Sequence, residues 1–323
     1  MRIGRVYEFP PEQRRQRDRA KRIAWLSITL LLFASVATAF TVGQSEAMKT
    51  AWVSDVLSMV PPIAYLVASR FELRPPSKRF PYGYYRSMSV CFLVTASALS
   101  IIGIWLFVDA AAKLLHGARP PIGTVVLFGR QIWSGWLMVA ALAYSMVTGI
   151  VVGKLKEPVA EKLHDKALEA DSKLNRAEWM SEGAAIVGIL IVAYGQWWGD
   201  AAAALFISFD IIQDGWLNVK QVVADLMDES PSELGEGELE DLPSRVKEAA
   251  ERLDWVDHAA VRLREQGHVI TGDVFVVPRV HAAADLVPRI EQASDELAEV
   301  DWRLHGLTVM PVSRIEHDSP PRA

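Results

Sequence analysis

Only one cysteine, Cys91, occurs among 323 residues, which excludes an intrachain disulfide framework and any multi-cysteine zinc or iron–sulfur site. Basic charge is also scarce. The 34 Lys and Arg stand against 39 Asp and Glu, a net of -5, so bulk electrostatics argue against nucleic acid as a partner. What the chain has in excess is apolar. Hydrophobic residues make up 51% and charged residues 23%, with a mean hydropathy of +0.16, too high for an ordinary soluble domain. The two kinds must be segregated along the sequence, and a disordered chain is excluded.

A bilayer core needs about 20 mostly apolar residues per helix, and six stretches qualify: 23–42, 51–69, 88–108, 132–152, 179–198 and 201–219. The first follows a basic arm containing Arg14, Arg15, Arg17, Arg19, Lys21 and Arg22, but it is too long for a signal-peptide core and reads as a retained helix. Lys and Arg then fall on alternate links. The second-to-third link holds Arg70, Arg74, Lys78, Arg79 and Arg86, and the fourth-to-fifth holds Lys154, Lys156, Lys162, Lys166, Lys173 and Arg176. The third-to-fourth link carries only Lys113, Arg119 and Arg130. This bias puts both termini in the cytoplasm and the protein in the inner (plasma) membrane. Gly43, Gly103, Gly149 and Gly188 suit close helix packing, and Cys91 reads as a small buried hydrophobe.

The apolar pattern stops after Val222. Residues 1–222 read as a six-helix membrane domain with its basic arm, 223–243 as an acidic linker, and 244–323 as a cytoplasmic domain. A helix is expected over 244–253 with Ser244 as N-cap, strands over 259–265 and 268–278 joined by a Gln266-Gly267 turn, a helix over 285–298, and a strand over 302–310. The order is αββαβ. The charges divide with the domains: 22 acidic and 10 basic residues lie from Val222 onward, leaving 17 acidic and 24 basic before it. The acidic tail would draw cations toward the inner mouth, an effect that salt weakens.

Three local motifs stand out. They are Arg79-Phe80-Pro81-Tyr82-Gly83-Tyr84-Tyr85-Arg86, then Ala170-Asp171-Ser172-Lys173-Leu174-Asn175-Arg176-Ala177-Glu178, then Trp198-Gly199-Asp200. The first resembles the His-Pro-Phe-Gly-x-x-Arg signature of the cation diffusion facilitator family, and the others resemble that family's fifth-helix motif and fifth-to-sixth turn. The resemblance implies an all-α six-helix membrane bundle plus a small α+β, ferredoxin-like cytoplasmic domain. It also implies a homodimeric transporter, not an enzyme, that exports divalent metal ions in exchange for protons.

In that family two Asp on the second helix and a His and an Asp on the fifth form a tetrahedral site, each pair four residues apart on one helix face. The matching positions here are Ser54, Ser58, Leu174 and Glu178, so one ligand of four survives, as Glu for Asp. All seven histidines lie outside the six spans. What remains is oxygen. Asp171, Asn175, Glu178 and Glu182 share one face of the fifth helix, Asp55 and Ser58 one face of the second, and Asp210 and Asp214 one face of the sixth. Ionisable groups at membrane depth are costly and mark ion paths. The reading is a metal site of Asp55 and Glu178 with Ser54, Ser58, Asn175 and Glu182 as further ligands, and Asp210 and Asp171 as proton-coupling candidates. Such oxygen ligands favour Mn²⁺, Fe²⁺, Mg²⁺ or Co²⁺ over Zn²⁺.

Plainer roles compete. Asp55 reads equally well as a first-turn residue of its helix, and Asp171 and Asp214 as solvated or capping residues near helix ends. Pro61-Pro62 is either a packing kink or a source of free carbonyl oxygens. His258 and His268 flank the tail hairpin and read as solvated. A transport-silent scaffold or sensor is the alternative function, disfavoured because such a protein has no reason to retain intramembrane carboxylates.

Overall fold

The computed structural model describes residues 7–43, 45–117, 123–127, 130–232, 239–279 and 285–315; side chains at a few of these positions, including Cys91 and Arg130, are not described. The expectations for Cys91, Arg119, Arg130, His281, His317 and linker residues 233–238 lie outside the described residues. Two compact units form. One comprises residues 13–70 and 88–223, the other 1–12, 71–87 and 224–323.

The helical unit contains α1 (Pro11–Thr41), α2 (Glu46–Leu57), α3 (Val60–Phe71), α4 (Ser87–Leu115), a hairpin β1 (Thr124–Leu127) and β2 (Arg130–Trp133), α5 (Ser134–Leu163), α6 (Lys166–Ala193) and α7 (Gly199–Leu226). Among the described residues, three helical stretches are long and apolar enough to cross a membrane: Pro11–Thr41, Glu46–Phe71 and Ser134–Leu163. Large apolar side chains are exposed on α1 (Phe33, Phe40), α4 (Ile101, Trp105) and α7 (Phe209, Trp216), surfaces that water would penalise and hydrocarbon covers.

The second apolar stretch is broken. α2 ends at Leu57 and α3 begins at Val60, with Pro61 and Pro62 in its first turn, where a missing N–H costs least. The same prolines deny the Leu57 and Ser58 carbonyls their usual donors four residues on. At the other end of α2, Ser45 Oγ accepts from Met48 N (3.1 Å) and donates to Asp200 Oδ1 (2.5 Å). Asp200 Oδ2 also accepts from Glu46 N (2.5 Å) and its Oδ1 from Ala47 N (3.2 Å), so the first residues of α7 cap the start of α2. α6 approaches α7 closely at Gly188, where a Cβ would lie 2.5 Å from the Ala203 Cβ and 2.9 Å from the Gly199 carbonyl oxygen.

The link expected between the fourth and fifth spans is mostly helix. α5 runs to Leu163 and α6 starts at Lys166, joined through His164 in the left-handed region (φ 52°) and Asp165, whose Oδ1 caps Leu168 N at 3.0 Å. Lys156, Lys173 and Arg176 therefore sit on helices, and Lys156 is fully buried rather than cytoplasmic loop. The turn after α6 comprises residues 194–198, with Gly195 at φ +88°, and Asp200 already belongs to α7.

The second unit holds α8 (Leu242–Glu251), β3 (Val256–Gln266), β4 (Val269–Pro278), α9 (Leu286–Ala298) and β5 (Thr308–Pro311). β3 and β4 are antiparallel, β4 and β5 parallel, in the order β3-β4-β5. Ser244 is not the cap of α8. Asp241 holds that position because Pro243 is favourable inside the first turn and lets the helix start earlier. The hairpin turns on Gly267 (φ +65°) and His268 rather than on Gln266-Gly267, since Gln266 still pairs with Val269. Val246, Ala250, Val256, Val274, Val276 and Leu297 form the centre of the core.

Residues far from this domain in sequence join it. Tyr7, Phe9 and Tyr85 cluster with Val269, and Tyr7 Oη donates to the Trp302 carbonyl at 2.9 Å. His268 is not solvated: it is buried, with Nδ1 2.7 Å from Glu72 Oε1, whereas His258 is exposed. Arg303 forms a two-pronged pair with Glu240 (2.7 and 2.8 Å) and contacts Asp301 (3.1 Å), fastening the linker's end to the last strand's approach.

Candidate functional site

The inward polar residues of α6 fall into three neighbourhoods. The first lies around Asp171, six residues into α6 and buried, not at a frayed end. Lys156 Nζ of α5 is 2.8 Å from Asp171 Oδ2, both groups being buried. Asn175 donates through Nδ2 to the Asp171 carbonyl and to Asp171 Oδ1, the latter at 3.3 Å, while its own Oδ1 is buried without a hydrogen-bond partner. A buried carboxylate matched by a buried ammonium is internally neutralised, and deleting either charge alone would strand the other.

The second neighbourhood is a small cavity, about 10 Å³, lined by Ser54, Ser58, Leu174, Glu178, Ser181, Asp210, Ile211 and Asp214. It gathers α2, α6 and α7. Ser58 follows the end of α2, where its Oγ donates to the Ser54 carbonyl at 2.8 Å and keeps lone pairs to offer. Ser181 Oγ donates to Asp210 Oδ2 at 2.7 Å, steadying that carboxylate at the wall. Asp214 belongs to this lining because α7 continues to Leu226, well beyond the apolar stretch. The oxygen atoms come from three carboxyl and three hydroxyl groups, with no nitrogen or sulfur side chain. Among the described residues no three His, Cys, Asp or Glu side chains close into a ready coordination cage.

The third neighbourhood is centred on Asp55 and Glu182, which are not among the residues lining the cavity. Asp55, the tenth residue of that helix and so not in its first turn, is buried. Its Oδ2 accepts from Thr38 Oγ1 of α1 (2.9 Å) and its Oδ1 from Ser145 Oγ of α5 (2.7 Å). Glu182 of α6 lies against Asp55 and Ser145, with its Oε2 buried and without a hydrogen-bond partner. Of the residues selected from sequence, Ser54, Ser58, Glu178 and Asp210 therefore share the cavity. Asp55 pairs with Glu182, and Asn175 with Asp171. The missed members are Asp214 and Ser181 at the cavity, Thr38 and Ser145 at Asp55, and Lys156 at Asp171. Only Asp214 had a sequence signal strong enough to find it, its four-residue spacing from Asp210 in an apolar helix.

Long apolar helices that turn carboxylates and hydroxyls inward onto a cavity define an integral membrane protein that handles cations. The cation efflux transmembrane domain matches residues 22–227, and the chain belongs to the cation efflux, or cation diffusion facilitator, family. Its relatives include the manganese efflux system proteins MneS and MneP of Bacillus subtilis. MneS is 21% identical over 80% of this chain and 81% of its own length, and MneP 22% identical over 81% and 84%. The zinc transporter ZitB of Escherichia coli is 24% identical over 66% of this chain and 63% of its own length.

Proposed function

We propose that the protein exports a hard divalent cation, with Mn²⁺, Fe²⁺, Mg²⁺ and Co²⁺ preferred to Zn²⁺, from the cytoplasm across the inner membrane in exchange for protons. The cargo binds in the cavity, on Glu178 with Ser54 and Ser58, and the α7 carboxylates Asp210 and Asp214 give up protons as the ion arrives and regain them as it leaves. The observation that carries this reading is the lining itself: all four positions matching the family's ligands meet there, two carboxylates of another helix join them, and every polar group is an oxygen. The manganese systems among the relatives agree with it. Six helices span the bilayer with both termini cytoplasmic, and the αββαβ domain joins two copies into a homodimer. Asp171 is tied to Lys156 and takes a supporting place in proton coupling.

Proteoliposomes loaded with an ion-sensitive dye test the proposal. Mn²⁺ influx into inverted vesicles should follow an imposed pH gradient and fall at least tenfold in Glu178→Ala. Absence of pH-dependent flux for Mn²⁺, Fe²⁺, Co²⁺, Mg²⁺ and Zn²⁺ alike would exclude transport, and undiminished flux in Glu178→Ala would exclude the site.

A further inference from the structure

Asp55 and Glu182 are not among the residues lining the cargo cavity, although each neighbours one of them in sequence, Ser54 on α2 and Ser181 on α6, and the Asp55 charge bears on Glu178. A step of one residue turns the side chain by about 100° on a helix, so the same two helices serve a second seam. Four helices meet there: Thr38 comes from α1, Asp55 from α2, Ser145 from α5 and Glu182 from α6. Asp55 is 4% exposed and Glu182 8%. Among the described residues, the hydrogen-bond partners of the Asp55 carboxyl are the Thr38 and Ser145 hydroxyls and the Glu182 carboxyl.

Two carboxyl groups in contact, buried and with no basic side chain among the described residues paired to them, are short of positive charge by up to two units. The hydroxyls of Thr38 and Ser145 already donate to Asp55, one to each oxygen, and orient it. Glu182 Oε2, by contrast, is buried with no hydrogen-bond donor. An acceptor of this kind is costly unless something positive reaches it.

We propose that Asp55 and Glu182, braced by Thr38 and Ser145, form a second cation site in each protomer, separate from the Glu178 cavity and selective for a hard divalent ion. Two carboxylates match the charge of such an ion, and hydroxyl oxygens complete an all-oxygen donor set suited to Mn²⁺ or Mg²⁺. Lys156 does not serve here, because its ammonium is committed to Asp171.

The test is the number of Mn²⁺ ions bound per protomer by the full-length protein in detergent, measured by equilibrium dialysis. Glu182→Gln should lose one ion, Glu178→Gln a different one, and the double variant two. Ser145→Ala and Thr38→Val, which leave the carboxylates in place, should weaken one class of Mn²⁺ by roughly tenfold or more, as expected when a hydrogen bond to a charged group is removed. Unchanged binding in Glu182→Gln, or in Ser145→Ala if that variant alone folds, would overturn the second site and identify the carboxyls as a proton-sharing contact. If the double variant loses only one ion, the two clusters are a single site and the proposal again fails. Unchanged binding in Glu178→Gln would instead overturn the cargo cavity while leaving the second site standing.

Discussion

At Leu174 the cavity wall carries an aliphatic side chain where the family places an imidazole. The position is structurally intact: it lies on α6 one turn before Glu178 and borders the same space. Leu174→His should therefore return a borderline ligand to an oxygen set and move ion preference toward Zn²⁺. Competition between Zn²⁺ and Mn²⁺ in flux assays should shift at least tenfold in favour of zinc, and an unchanged ratio would mean that Leu174 does not face the bound ion. The family resemblance picked out Ser54, Ser58, Leu174 and Glu178, and the four-residue spacing puts each pair on one face of its own helix whatever the residues are. Lys156 was illegible for a related reason. A lysine beyond the end of an apolar stretch reads as cytoplasmic link, and only a helix continuing past the hydrocarbon could bury it against Asp171.

At the scale of elements, the third motif has a clear physical job. Asp200 takes up the hydroxyl of Ser45 and two backbone N–H groups at the start of α2, capping a helix 155 residues away in sequence. Asp200→Ala should cost about 0.5–2 kcal/mol, the usual range for a lost N-cap, whereas Asp200→Asn should cost less. Thermal unfolding of the detergent-solubilised protein distinguishes the two. The long helices were readable from apolar length, but their ends were not, because helical hydrogen bonding continues beyond the greasy segment. The β1–β2 hairpin was missed since six of its eight paired residues sit in what hydropathy marks only as a link, and Ile132 and Trp133 in what it marks as the start of the fourth span. In the tail, period-2 alternation located β3 and β4 within a few residues; Pro243 moved the start of α8, Gly267 moved the hairpin turn, and the strand expected over 302–310 is only the short β5, Thr308–Pro311.

On the scale of the whole molecule, the sequence divides into a basic helical part and an acidic tail, whereas the compact units divide differently. Residues 1–12 and 71–87 belong with the tail, held through Tyr7, Glu72 and Tyr85, while the basic stretch from Arg14 to Arg22 stays with the helical unit. No local pattern announces such pairings, because both partners are ordinary polar or aromatic residues in links. The Arg303 cluster gives this unit a pH signature. Burial alone would raise the Asp301 carboxyl, but the hydrogen bonds and charge of Arg303 outweigh burial and hold it below its ordinary value. A lowered carboxylate contributes stability that is present above the unfolded value of about 3.9 and lost as pH falls through the folded one. Melting of this unit in the full chain, followed by near-ultraviolet circular dichroism, should weaken below about pH 4. Asp301→Asn should be less stable by about 1–3 kcal/mol at neutral pH and flatter across that window.

The Asp200 cap also has a mechanical meaning. It pins the start of α7 to the start of α2, and Gly188 holds α6 against the same end of α7. Three helices that line the cavity are thus fastened at one end, so relative motion among them must pivot there and grow with distance. At a rise of about 1.5 Å per residue, Asp210 and Asp214 lie roughly 15 and 21 Å along that lever from the pin. A tilt of a few degrees would displace them by about an ångström, enough to make or break contact with an ion while the fastened end hardly moves.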